Sequence, residues 1–137
     1  QIYTHSRGAA FAAGYTARLL KYIKDNSEKF ADPNNVIEFS INLAPHQSNF
    51  VKVMKEIPTL GLSHDSDVLS GNDIEGADNI SSDVGNVATS HQNKSFVKEL
   101  KTVLSAIASD KKLDKSTVNK ITKEFEKLGI KFTYKDK

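Results

Sequence analysis

The stretch T-H-S-R-G at residues 4–8 narrows more than any other what this chain can fold into. It joins a short apolar run at Ile2 and Tyr3 to a segment in which Ala9, Ala10, Ala12 and Ala13 keep the first turns slim. Phe11, Tyr15, Leu19 and Ile23 recur there at helical spacing. That order predicts a strand, a tight turn and a helix stopped by A-D-P-N-N at residues 31–35. A serine presented on such a turn sits on strained backbone, so the residues two before and two after it must be small. Thr4, Ser6 and Gly8 occupy those places, with Thr4 departing from the usual G-x-S-x-G. A helix starting directly behind the serine can aim its first amides at a developing anion. Taken by itself the pentapeptide reads equally as a serine at an ordinary helix N-cap.

Downstream, residues 35–45 alternate Ile37, Phe39, Ile41 and Leu43 against Glu38, Ser40 and Asn42, the period of a strand with one dry face, which Pro45 stops. A short helix is expected over residues 49–57 and a second such strand over 58–65, interrupted by Gly61. Residues 66–93 turn to Asp, Ser, Asn and Gly with little periodicity and read as a long surface loop of the kind that carries function. Phe96, Leu100, Val103, Leu104 and Ile107 then predict an amphipathic helix over 96–108, capped by Ser95. A second helix, 115–128, starts at Asp114 or Ser116, carries Val118, Ile121, Phe125 and Leu128, and meets Gly129 where a C-terminal glycine belongs. Residues 130–135 alternate again and predict a last strand. Strands alternating with helices argue for one α/β domain with a mostly parallel sheet and flanking helices; residues 1–93 carry the chemistry and 94–137 the closing helices and strand.

Composition mainly excludes. At 137 residues and 38% apolar, the chain can bury one core, and no apolar run is long enough to span a bilayer. Any signal peptide would lie upstream of Gln1, so the compartment stays open. With no cysteine there is no disulfide, thiolate metal site or Cys nucleophile. A net charge of +2 does not argue for nucleic acid, although the region from Lys94 onward is rich in lysine.

The elbow, the strand, proline turn and helix in F-S-I-N-L-A-P-H-Q-S-N-F-V-K-V-M-K-E-I, and the D-V of L-S-H-D-S-D-V-L-S-G together resemble the α/β-hydrolase superfamily. Within it, the likeness is to the fungal-type class 3 lipases and covers roughly residues 1–100. The resemblance is one of order and spacing more than identity. It implies a partial α/β-hydrolase fold whose first strands would come before Gln1, so that the 137 residues are expected to be inactive alone. It also implies a triad running nucleophile, acid, histidine along the chain. Ser6 would be the nucleophile and Asp67 the acid, with Asp65 next in preference. Of the four histidines, His5 is locked beside the nucleophile, and His46 and His64 precede the acid; His91 follows it, in a loop before a helix. Arg7, directly after the nucleophile, would lend a backbone amide to the oxyanion, while the second donor would come from a loop outside the chain.

The acids at 65, 67, 73, 75 and 78 also read as oxygen ligands for calcium, although EF-hand spacing is not met, and a solvated loop is the default for those beyond Asp67. No cofactor and no metal are assigned. A vaguer likeness ties T-H-S-R-G-A-A-F-A-A-G-Y-T and A-P-H-Q-S-N to C-terminal regions of Rhs-type polymorphic toxins, which would make the protein a secreted or delivered bacterial effector. The leading expectation is thus a serine ester hydrolase acting on an ester or lipid. The competing one is a non-catalytic module on the same scaffold whose lysine-rich helices bind an acidic partner or membrane surface.

Overall fold

The computed structural model describes residues 1–46, 51–69 and 73–137. Strands β1 (Ile2–His5), β2 (Ser40–Leu43), β3 (Thr59–His64), β4 (Asp78–Ser82) and β5 (Phe132–Lys135) form one sheet in sequence order. The first four run parallel and β5 returns antiparallel to β4. Helix α1 (Gly8–Asp25) follows β1, while α2 (Val97–Asp110) and α3 (Lys115–Lys127) follow β4. The architecture is therefore α/β with a mostly parallel five-stranded sheet and helices on its faces, as the alternation of elements predicts. No helix among the described residues is long and apolar enough to cross a membrane.

The larger core lies where α2 and α3 cover the sheet. Phe39, Ile41, Leu60, Leu62 and Ile80 meet Phe96, Val103, Ile107, Val118, Ile121 and Phe125 there. Residues alternating along each strand reach one face, which is why Leu60 and Leu62 share this core while Gly61 faces the other way. On the opposite face α1 is joined by stretches of irregular chain. Ala9 packs with Val51, Ile74 and Ala77, and Ile23 with Ile37 and Ile57.

Several local expectations change. Helix α1 ends at Asp25 and passes into a 3₁₀ turn, Ser27–Lys29, before reaching the proline segment. Its buried residues are Ala9, Thr16 and Ile23, whereas Phe11 is 79% exposed and Tyr15 59%. Only small side chains fit where the first turns press on Val51 and Ile74, so the aromatic row of the expected stripe points outward. Residues 35–45 form regular strand only over Ser40–Leu43, although Ile37, Phe39 and Ile41 are buried as the alternation requires. Residues 51–57 are not helical, while 49 and 50 lie outside the described residues. Val51 and Val53 pack against Ala9, and Met54 and Ile57, on either side of a turn, against Ile23.

The 66–93 segment is not all loop, because it contains β4. That strand is D-N-I-S-S, and Asp78, Asn79 and Ser82 are buried with dedicated partners. Tyr134 donates to Asp78 at 2.7 Å, and the Asn79 side chain bonds the N–H and C=O of Ile74 and the C=O of Ala77. Ser95 does not cap α2: its hydroxyl bonds the Gln92 carbonyl, and a 3₁₀ turn, Asn93–Phe96, leads into the helix. Asp114 caps α3, accepting from the Thr117 N–H at 3.0 Å. Gly129, at φ 72°, closes α3 with Gly129 N–H to Glu126 O and Ile130 N–H to Phe125 O, a Schellman pattern. Leu128 and Leu104 are exposed, unlike the rest of their stripes.

Two measurements check this description. Gly61 faces Asn79 across the ladder, and a Cβ there would lie 2.6 Å from Asn79 Oδ1. Gly61→Ala must therefore displace a buried amide from its three bonds, and urea unfolding should show a loss of about 2 kcal/mol or more. The Lys112 ammonium, and after it the Thr117 amide, hold the Asp114 carboxyl down at about 2, below its ordinary 3.8. A carboxyl lowered in the folded state adds stability that is present above about pH 4 and fades as pH falls toward 2. Asp114→Asn keeps a capping oxygen but cannot titrate, so its stability should fall less steeply across that window in thermal melts.

Candidate functional site

Ser6 stands at the C-terminal end of β1 with φ 55°, a left-handed conformation uncommon for a residue with a side chain. The turn is held from three directions: Ser6 N–H donates to the Leu43 carbonyl at 3.0 Å, and Ser6 C=O accepts from Ala9 and His46 N–H, each at 3.2 Å. Ahead of it, Thr4 donates to Asn42 Oδ1 at 2.6 Å, which turns the threonine hydroxyl to use beneath the turn. A Cβ on Gly8 would meet Thr4 Cβ at 3.8 Å, so the two flanking positions face each other in ordinary van der Waals contact.

Three of the singled-out residues converge on the turn. Ser6 Oγ lies 2.7 Å from His91 Nε2, and His91 Nδ1 lies 2.7 Å from Asp67 Oδ2. An ionised carboxylate can only accept, so Nδ1 carries the proton and Nε2 accepts from the Ser6 hydroxyl. Asp67 is buried, and its other oxygen accepts from Leu69 N–H at 2.9 Å. The His91 ring stays partly exposed, with 22% of its side-chain surface open, so the serine end of the chain can be reached from solvent. Such an arrangement can abstract the serine proton as Oγ attacks an electrophile, and then return it to a leaving group. Arg7 follows Ser6 at the start of α1, among the amides that have no acceptor within the helix.

The remaining candidates lie apart. Asp65 is exposed and accepts from Ser81 Oγ at 2.5 Å. Asp73 pairs with Lys135 at 3.1 Å, and Asp78 accepts from Tyr134. Among the described residues no three His, Asp or Glu side chains gather to hold a metal ion. His46 Nδ1 donates to the Leu69 carbonyl at 2.7 Å, tying the turn after β2 to the loop after Asp67.

Two histidines that chain order sets aside reach this neighbourhood through the backbone. His5 Nε2 donates to the carbonyl of His91 at 2.6 Å, and the two rings lie 5.2 Å apart. His64, at the end of β3, donates from Nδ1 to the carbonyl of Ser90 at 2.9 Å. Its Nε2 sits 3.0 Å from both oxygens of Glu99, which also accepts from Ser82 Oγ at 2.6 Å. Both side chains are almost wholly buried, and the His64 ring stacks on Phe96 at 3.8 Å. A sign of Glu99 was present in the sequence: it falls between Phe96 and Val103 on the apolar side of α2, where a carboxylate must find a partner.

No protein-family model, no curated protein and no solved structure matches this chain. Its class as an α/β protein is defined by the strand order, and the chemistry has to be read from the side chains.

Ser90 is fully buried, and its hydroxyl has no hydrogen-bond partner among the described residues. Its carbonyl does the holding through His64, so Ser90→Ala should leave that bond intact. Removing an unsatisfied buried hydroxyl should raise stability by about 1 kcal/mol, visible as a higher midpoint in urea.

Proposed function

We propose that this protein is a serine hydrolase that cleaves esters through an acyl-enzyme. The observation that carries the reading is the unbroken hydrogen-bond chain from Ser6 Oγ through His91 to buried Asp67. Ser6 Oγ attacks the carbonyl carbon while His91 Nε2 takes its proton; collapse of the tetrahedral intermediate expels the alcohol, which leaves with that proton. Water then repeats the sequence against the acyl-serine. Asp67 holds the imidazole in the tautomer that accepts from serine and balances the imidazolium once it forms. The Arg7 amide is the donor to the oxyanion, supported by the positive end of α1. Ester chemistry, as against amide, comes from the resemblance to class 3 lipases in the order of elbow, helix, proline-ended strand and acid-bearing strand, although the helix expected after the proline turn is absent from residues 51–57.

The rival reading, a lysine-rich face for an acidic partner or membrane, has weaker support. Lys101, Lys120, Lys123 and Lys127 do line a groove between α2 and α3. Yet Lys120 is paired with Asp110 at 2.5 Å and Lys127 with Glu124 at 2.7 Å, which leaves a mixed surface rather than a basic one.

A fluorophosphonate probe tests the proposal, applied to this chain and to any naturally longer form of it. Labelling should be lost in Ser6→Ala and slowed roughly a thousandfold or more in Asp67→Asn, which inverts the tautomer preference of His91. Asp65→Asn should label as fast as the parent. Absence of Ser6-dependent labelling in every form would sink the hydrolase reading. Salt-sensitive binding to anionic vesicles, undisturbed by Ser6→Ala, would then favour the rival.

A further inference from the structure

Resting on the reading of His91 as general base, we propose that His5 and His64 are positioning residues that together fix the direction in which the His91 ring points. The carbonyl before the His91 Cα, that of Ser90, accepts from His64 Nδ1, and the carbonyl after it, that of His91 itself, accepts from His5 Nε2. Two peptide planes meet at every Cα, and their orientations define where Cβ projects. A donor anchored on each plane therefore aims the side chain, although neither donor touches the ring's own nitrogens. Both acceptors are carbonyls, so each imidazole must present N–H at the contacting atom.

The origins of the donors carry the argument further. His5 immediately precedes Ser6 at the end of β1, and His64 ends β3, where its own carbonyl accepts the N–H of Asp67 at 2.9 Å. Each clamping residue thus shares a strand end with one of the two groups that the His91 ring must reach. His91 is thereby tied to both strand ends whose groups its ring bridges. The His64 end is made rigid by its second nitrogen: Glu99 from α2 holds it, Ser82 from β4 holds Glu99, and Phe96 lies flat against the ring with 9° between planes. Loop 85–90 closes tightly behind Ser90, since Gly85, at φ 85°, brings its backbone to where a Cβ would lie 3.3 Å from Ser90 Cα. Residues 85–88 are exposed and by themselves give a catalytic histidine little to brace against.

The test compares His5→Phe, which removes the donor, with His5→Gln, whose amide can present N–H at the same place. A double variant, His64→Phe with Glu99→Met, keeps an apolar volume in the buried pair's place and removes the donor to Ser90. Two readouts are taken in the form of the protein that labels, or in this chain if none does. They are the rate of fluorophosphonate labelling and the downfield proton resonance of His91 Nδ1–H in its bond to Asp67, with urea midpoints recorded alongside. His5→Phe should label ten- to a hundredfold more slowly, as expected for a general base displaced by up to about 1 Å. Its downfield resonance should broaden or disappear, while the unfolding midpoint stays near that of the parent. His5→Gln should recover most of both, and the double variant, if folded, should behave as His5→Phe does. Parental labelling and an unchanged resonance in His5→Phe would overturn the clamp. If the parent itself never labels, the resonance still decides: loss in His5→Phe with recovery in His5→Gln upholds the positioning of His91 while the hydrolase reading falls.

Discussion

A serine with positive φ between a parallel strand and a helix is the constraint on which the rest of the structure depends. Holding a residue with a Cβ in that region costs about 1 to 3 kcal/mol, so the surroundings must fix it. Here they do so with the backbone: Leu43, Ala9 and His46 each bond Ser6, and Ala44, at φ 44°, ends the neighbouring strand in the same left-handed region. The parallel register of β1 on β2 and β2 on β3 then delivers the ends of three strands to one side of the sheet. Ser6, His46 and the Asp67 loop all emerge there, which is why residues 61 positions apart in the chain can serve one hydrogen-bond relay.

The sheet is covered differently on its two faces. Toward α2 and α3 the core is conventional, with aromatic and aliphatic side chains interlocked. Toward α1 it is split into two smaller clusters, one of alanine, valine and isoleucine around Ala9 and one around Ile23. A slim helix brings the elbow close to the sheet, at the expense of leaving Phe11 and Tyr15 in solvent. The buried polar groups around Glu99 form a network rather than an isolated pair. Glu99 alone joins Ser82, His64 and, through His64, Ser90, so β3, β4, α2 and the His91 loop are held in one frame. Buried carboxylates are costly unless their oxygens are engaged, and this one accepts from the Ser82 hydroxyl and lies against His64 Nε2.

Local sequence made some elements legible and concealed others. Helix α3 was plain because its stripe, its aspartate cap and its glycine stop agree, and each is a short-range interaction. Strand β4 was hidden because only Ile80 among its five residues is apolar. Asp78 and Ser82 are buried by virtue of partners far along the chain, Tyr134 and Glu99, which no window of neighbouring residues contains. Helix α1 misled in another way: helical spacing shows which residues share a face, but not which face the sheet will take. The sheet took the small one, since Val51 and Ile74 leave no depth for an aromatic ring. Residues 51–57 have the apolar content of a helix and use it in irregular chain, with Val51 and Ile57 in two separate clusters.

At the prospective site, sequence determined the residue types, the small neighbours around Ser6 and the order serine, acid, histidine, all properties of the covalent chain. Whether Asp65 or Asp67 faces His91 was decided by the fold. The turn after β3 buries one and leaves the other to Ser81, a difference of two residues that no composition reveals. The parts played by His5, His64 and Glu99 were likewise out of reach of the sequence. They act on backbone carbonyls, and a carbonyl carries no side-chain signature; only the tertiary structure shows which imidazole it meets.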